Sequence, residues 1–231
     1  MRKSIMKYLQ SIKEKTQIGL QYVKEFAGTK SAHASKEFDD AEIKYKYLRE
    51  KFTVFKDNVL ELNKVLVTLG KSGTNLGDSY LSLDQNLDCS NTNFSSSCAL
   101  FFKKAQEMTN DNTVKPIEDQ VIKQIVELEK QLNDLEALNK ERNQTRLLAD
   151  AQLSNIRTLE SDGKYQDLAK YQMEYNQTAG KLSQETSKYI NEVRDLYQRR
   201  HVLFESTLQS FIGIMYNYII SINYEMVQMN L

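Results

Sequence analysis

Residues 35–83 read SKEFDDAEIKYKYLREKFTVFKDNVLELNKVLVTLGKSGTNLGDSYLSL. Their apolar positions are Phe38, Ala41, Tyr45, Leu48, Phe52, Phe55, Val59, Leu62, Leu66 and Leu69, and the steps between them alternate three and four without a miss. Gly73 then falls on the stripe, and Leu76, Tyr80 and Leu83 complete it. A 3.5-residue spacing held over six heptads aims one seam of a helix at a partner helix along its whole length. That is the pattern of a coiled coil, not of a globular surface helix.

The same habit continues beyond this helix. Residues 84–97, DQNLDCSNTNFSSS, are polar and turn-forming and read as a loop, with a hydroxyl at Ser95 to Ser97 to cap the next helix. Val121, Ile125, Leu128, Leu132, Leu135 and Leu138 form a second stripe, which thins at Arg142 and Thr145. It resumes with Leu148, Ala149, Leu153, Ile156 and Leu159. Pro116 lies inside this helix, so a kink or short break is expected near Asn112 to Pro116. Ser161, Asp162 and Gly163 form a tight turn. A last helix from about Lys164 carries Leu168, Tyr171, Tyr175, Ala179, Leu182, Tyr189, Val193 and Leu196 on its stripe.

Composition agrees with very long helices. The 231 residues include one proline and eight glycines, and 27% are charged. Thirty-one basic residues balance thirty-one acidic ones, which argues against a nucleic-acid binder. Any anionic surface must therefore be met by a local patch. The two cysteines, Cys89 and Cys98, are too few for a disulfide framework or a zinc site and read as free thiols. No run of eighteen apolar residues is present, so the expectation is a cytoplasmic protein that is at most peripheral to a membrane.

Two segments stand apart. Residues 1–27 place Ile5, Leu9, Ile12, Leu20, Val23 and Phe26 roughly on one face. Arg2, Lys3, Lys7, Lys13, Lys15 and Lys24 outweigh Glu14 and Glu25, giving a local charge of +4. A basic amphipathic helix of this kind suits a membrane interface. At the other end, residues 211–227, FIGIMYNYIISINYEMV, are apolar on more than one face. A single three-helix chain cannot cover that surplus, so a dimer interface is expected there.

No motif announces catalysis. GKSGTNLG at 70–77 lacks the glycine spacing of a phosphate loop and lies inside a helical stripe, where close helix packing or a softened helix explains its glycines. His33 and His201 have no Cys, Ser or Asp constellation around them in sequence. The acidic residues alternate with Lys and Arg as on a solvated helix face. The chain reads as a non-enzyme without a metal or cofactor.

Three stretches carry a family likeness. KEFAGTKSAHASKEFDDAEIKYKYLREKF at 24–52 resembles the junction between amphipathic start and first helix of amphiphysin-type proteins. LGKSGTNLGDSYLSL at 69–83 is similar to the small-residue end of that helix, and LYQRRHVLFESTLQSFIGI at 196–214 to the late third helix. The chain thus resembles the BAR domain family in its N-BAR form, with residues 1–27 as the N-terminal segment and 28–231 as the BAR domain. The resemblance implies an all-α fold: three long kinked helices in an antiparallel coiled-coil bundle, paired into a crescent-shaped homodimer with a six-helix core.

It further implies binding of anionic phospholipids, phosphoinositides among them, and work beside trafficking or actin-regulatory proteins in endocytosis or phagocytosis. Membrane contact falls to Arg2, Lys3, Ile5, Lys7, Leu9, Ile12, Lys13 and Lys15 of the N-terminal segment. On the concave face and tip it falls to Lys123, Lys130, Lys140, Arg142, Arg146, Arg157 and Lys164. The dimer interface is assigned to Phe52, Phe55, Val59 and Leu62 with Phe211, Met215, Tyr218 and Ile222. The alternative is a spectrin-like scaffold that tethers proteins without bending membranes.

Overall fold

The computed structural model describes residues 14–18, 31–33, 35–86, 92–163, 166 and 168–228. Among them all regular structure is helical. Helix α1 spans Lys36–Asn86, α2 Thr92–Thr109, α3 Lys123–Ser161 and α4 Leu168–Gln228. Two π-helical stretches, Asn110–Val114 and Ile117–Ile122, join α2 to α3. At 1.5 Å per residue, the 61 residues of α4 extend about 90 Å.

The helix ends follow from local chemistry. Ser35 caps α1: its Oγ accepts from the Phe38 N–H at 3.4 Å, and its carbonyl accepts from the Asp39 N–H at 3.0 Å. Glu37 and Asp39 in the first turn favour the positive end of the helix. After α3, Gly163 takes φ 68°, the left-handed conformation that ends a helix, and its N–H bonds the Glu160 carbonyl.

One expectation needs correction. The polar stretch 84–97 is mostly helix: α1 runs on to Asn86 and α2 begins at Thr92. Ser95 is not a cap. It is buried inside α2 and donates to the Asp84 carboxylate at 2.5 Å, so polarity here marks a paired helix end. At Pro116 the α-helix is interrupted where the sequence expects it, by π-helical turns and not by a loop. The proline keeps helical angles, φ −59° and ψ −37°, between the two π-helical stretches. The Lys115 N–H reaches back five residues to the Asn110 carbonyl. The wider π turns absorb the missing donor and the ring clash that would break an α-helix.

The chain packs as two compact units, residues 1–48 with 131–198 and residues 49–130 with 199–231. In the first unit, Tyr45 Oη donates to the Leu132 carbonyl and Asn139 Nδ2 to Glu42, so α1 and α3 run antiparallel. Arg142 and Lys181 tie α3 to α4 through Thr186 and Glu141. Phe38 and Tyr45 both pack on the fully buried Tyr189 of α4, with ring centroids 5.4 and 6.4 Å apart. The α3 stripe does not fail at Arg142 and Thr145, because both are buried in phase with Leu132, Leu135 and Ala149.

The second unit joins the same three helices, α1, α3 and α4. Lys56 of α1 bonds Glu129 at 2.7 Å, Phe55 meets Phe204 edge-on at 5.5 Å, and Thr207 donates to Gln124. Here the glycines of GKSGTNLG have a packing role. A Cβ at Gly77 would lie 3.0 Å from both the Ala99 Cα and the Phe102 ring, and one at Gly73 would lie 2.9 Å from that ring. The motif is the surface on which α2 rides close to α1.

Candidate functional site

The notable surface belongs to the second unit. Of 23 large apolar side chains exposed among the described residues, Ile43, Tyr47 and Met173 belong to the first unit and the other 20 to the second. On α1 the two rows of the stripe part company. Phe52, Val59 and Leu66 are buried in the chain's own core, whereas Leu62, Leu69, Leu76 and Leu83 are exposed, Leu76 by 62%. A stripe kept at 3.5 residues drifts by about 20° per heptad around a straight helix, so the face it presents turns steadily along α1.

Helix α4 repeats the division. Thr207 and Ile214 are buried, while Leu208, Ile212, Tyr216, Ile219, Tyr224 and Val227 are exposed, Tyr216 by 64%. Isolated exposed apolar residues are ordinary, but this density marks an interaction surface. The residues assigned in advance to a dimer interface split accordingly. Phe52 and Val59 are buried within the chain, and Phe55, Phe211, Met215, Tyr218 and Ile222 are half-buried. Tyr218 is held by Thr109, the two hydroxyl oxygens 2.9 Å apart. Phe52 and Val59 are therefore core residues of this chain. Leu62 alone of that set is exposed, and on α4 the exposed apolar residues are the neighbours one step round. Helix phase relative to Thr207 and Ile214 would have identified them.

The basic residues divide as well. Lys123, Lys130, Lys140 and Arg157 are exposed. Lys123 pairs with Asp119 one turn before it at 2.7 Å, as Lys46 does with Glu42 and Lys188 with Glu192. Arg142 does not present its charge to solvent: it is 3% exposed. Its guanidinium lies 3.7 Å from the Phe38 ring centroid, a cation–π contact. Its Nε donates to Thr186 Oγ1 at 3.2 Å and its Nη1 to Asn143 Oδ1 at 3.0 Å. Burial holds its pKa below the usual guanidinium value. Arg146 adds to that lowering, and Glu42, Asp39 and Asp150 oppose it.

Arg146 is mostly buried too, its Nη1 3.3 Å from Asp150. That buried carboxylate also accepts from Ser31 Oγ at 2.6 Å and the Ala32 N–H at 3.1 Å, with His33 Nε2 4.0 Å away. The cluster fastens the backbone just before α1 onto α3. Arg142 lies on the buried α3 stripe and Arg146 beside it, so both charges are directed into the bundle. Lys15 is exposed in a short helical stretch, 14–18. Arg2, Lys3, Ile5, Lys7, Leu9, Ile12, Lys13 and Lys164 lie outside the described residues.

Among the described residues no group of three or more His, Cys, Asp or Glu side chains could hold a metal ion. No helix there is long and apolar enough to cross a membrane. No family model and no curated protein matches the chain. Its fold is similar to that of a solved structure, a BAR protein from Galdieria sulphuraria, at a TM-score of 0.62 and 10% identity. The similarity covers 85% of this chain and 96% of that one.

Proposed function

We propose that the chain acts as a homodimer on anionic membrane surfaces, where it senses or imposes curvature. The observation that carries this reading is a three-helix, BAR-like fold whose second unit leaves an apolar surface uncovered by its own chain. Burying one large apolar side chain contributes about 1.5–3 kcal/mol, so a second copy seated on Leu69, Leu76, Ile212, Tyr216 and Ile219 would be held firmly. Stiff, mutually packed helices would then confer their shape on a softer bilayer. Exposed Lys130, Lys140 and Arg157 supply charge toward anionic lipid, and the N-terminal segment with Arg2, Lys3, Lys7, Lys13 and Lys15 adds a basic amphipathic wedge. Endocytic, phagocytic or actin-linked trafficking is the setting that the N-BAR resemblance suggests.

Co-sedimentation with vesicles tests the reading. The chain should pellet with phosphatidylserine-rich vesicles at low salt, spare neutral ones, and draw tubes visible by electron microscopy. Each basic residue near such a surface contributes about 1 kcal/mol. Lys140→Glu with Arg157→Glu should therefore weaken binding at least about tenfold. No binding to anionic vesicles at low salt would refute it. One observation favours a protein-tethering scaffold instead: zero net charge, with several exposed lysines paired along their own helices. Deleting residues 1–27 separates the two, since a membrane binder loses affinity and a scaffold retains its partner.

A further inference from the structure

We infer that the first unit contains a binding site for a phosphomonoester, centred on Arg142. A cavity of about 300 Å³ opens between the start of α1 and the faces of α3 and α4. Arg142 lines it together with His33, Ser35, Ser183, Thr186 and Ser187. That size is at the lower limit of small-molecule pockets, suited to one phosphate group on a small polar carrier.

Charge is the first argument. Arg142 is 3% exposed, and a buried guanidinium carries a large desolvation cost unless an anion balances it. Arg142 has none in contact: its bonds go to the neutral Thr186 and Asn143, and its flat face to Phe38. The carboxylates of Glu42, Asp39 and Asp150 act on it only at longer range. Burial outweighs them. Arg146, whose charge also acts on Arg142, is already committed to Asp150.

Donor geometry is the second argument. Two of the five guanidinium N–H groups are bound, to Thr186 and Asn143. Because Thr186 Oγ1 accepts from Arg142, its own proton is free to point elsewhere. Ser35, Ser183 and Ser187 add further hydroxyls on the cavity wall. A tetrahedral oxyanion uses several such donors at once, and the planar guanidinium fork matches two of its oxygens. Ser35 also starts α1, whose positive end favours an anion. Glu37, which also lines the cavity, opposes one. It should weaken the site without abolishing it.

The phosphate could belong to a lipid headgroup or to a soluble compound, so this inference stands apart from the membrane reading. Isothermal titration of the full chain with soluble inositol 1,4,5-trisphosphate at physiological salt tests it. The expected result is saturable binding at one site per chain. Exposed Ser187→Glu should weaken it at least tenfold with an unchanged thermal midpoint, and Glu37→Gln should tighten it severalfold. Vesicles carrying a phosphoinositide, matched in charge to phosphatidylserine vesicles, identify the source. Extra binding that Ser187→Glu removes assigns the lipid, and no extra binding assigns a soluble phosphate. Absence of saturable trisphosphate binding, or an affinity that neither variant moves, overturns the proposal.

Discussion

The two compact units are made from the same long helices, yet their surfaces differ in kind. In the first, both rows of the α1 stripe are covered: Phe38, Ala41, Tyr45 and Leu48 are all buried, and Tyr189 fills the space between them. In the second, Phe52, Val59 and Leu66 of one row are buried while Leu62, Leu69, Leu76 and Leu83 of the other are exposed, and α4 exposes apolar side chains as well. A heptad stripe therefore does not say how many partners it has. Where three helices of one chain suffice, the surface is charged and paired along the helix. Where they do not suffice, the remaining row is left for something else.

The strongest way to break this contrast is charge on the uncovered face. Ile212→Lys with Ile219→Lys should raise the dissociation constant of a homodimer on the order of a thousandfold, measured by sedimentation velocity. Ile43→Lys with Met173→Lys, on the first unit, should leave the mass unchanged. If both pairs act alike, the contrast has no functional meaning. Next in size is the close approach of α1 and α2. Gly77→Leu gains helix propensity yet should cost about 1–3 kcal/mol, because the new side chain meets the Ala99 backbone and Phe102. Thermal denaturation should show a midpoint lower by several degrees.

The first unit should respond in the opposite direction. Tyr189→Phe should be neutral or stabilising by about 1 kcal/mol, because the Tyr189 hydroxyl is buried with no hydrogen-bond partner. The same burial, with Glu42 and Tyr45 nearby, raises its pKa well above that of a free tyrosine. A clear loss of stability on urea unfolding would reveal a bond that the packing does not show. The smallest effect is expected at Gly180, where an added Cβ meets nothing. Gly180→Ala should stabilise by about 0.4–1 kcal/mol, read as a rise in the urea midpoint.

Much of this was legible in the residues. The 3.5-residue stripe from Phe38 to Leu83, the turn at Gly163 and the close-packing glycines at 73 and 77 each rest on a local rule that tertiary structure obeys. Pro116 marks the interruption of the α-helix, but the π-helical form of that interruption has no signature in the residues. The 84–97 stretch misled because Ser95 and Asp84 satisfy each other across two helices 11 residues apart in sequence. No one-dimensional pattern shows such a pairing.

Arg142 shows what charge alone leaves out. Its charge suggested lipid, but its position, ten residues after Leu132 on the stripe, already placed it inside. The division into two units has no punctuation in the sequence either, since its boundaries at 48, 130 and 198 fall inside helices. Which apolar row remains uncovered depends on helix phase against two neighbours at once.

A second copy of the chain is expected on the uncovered face of the second unit. Sedimentation equilibrium of the full chain at low micromolar concentration measures this directly. The predicted result is a single species of twice the 26.8 kDa chain mass, converted to monomer by Ile212→Lys with Ile219→Lys. A wild-type chain that stays at 26.8 kDa up to tens of micromolar would contradict it.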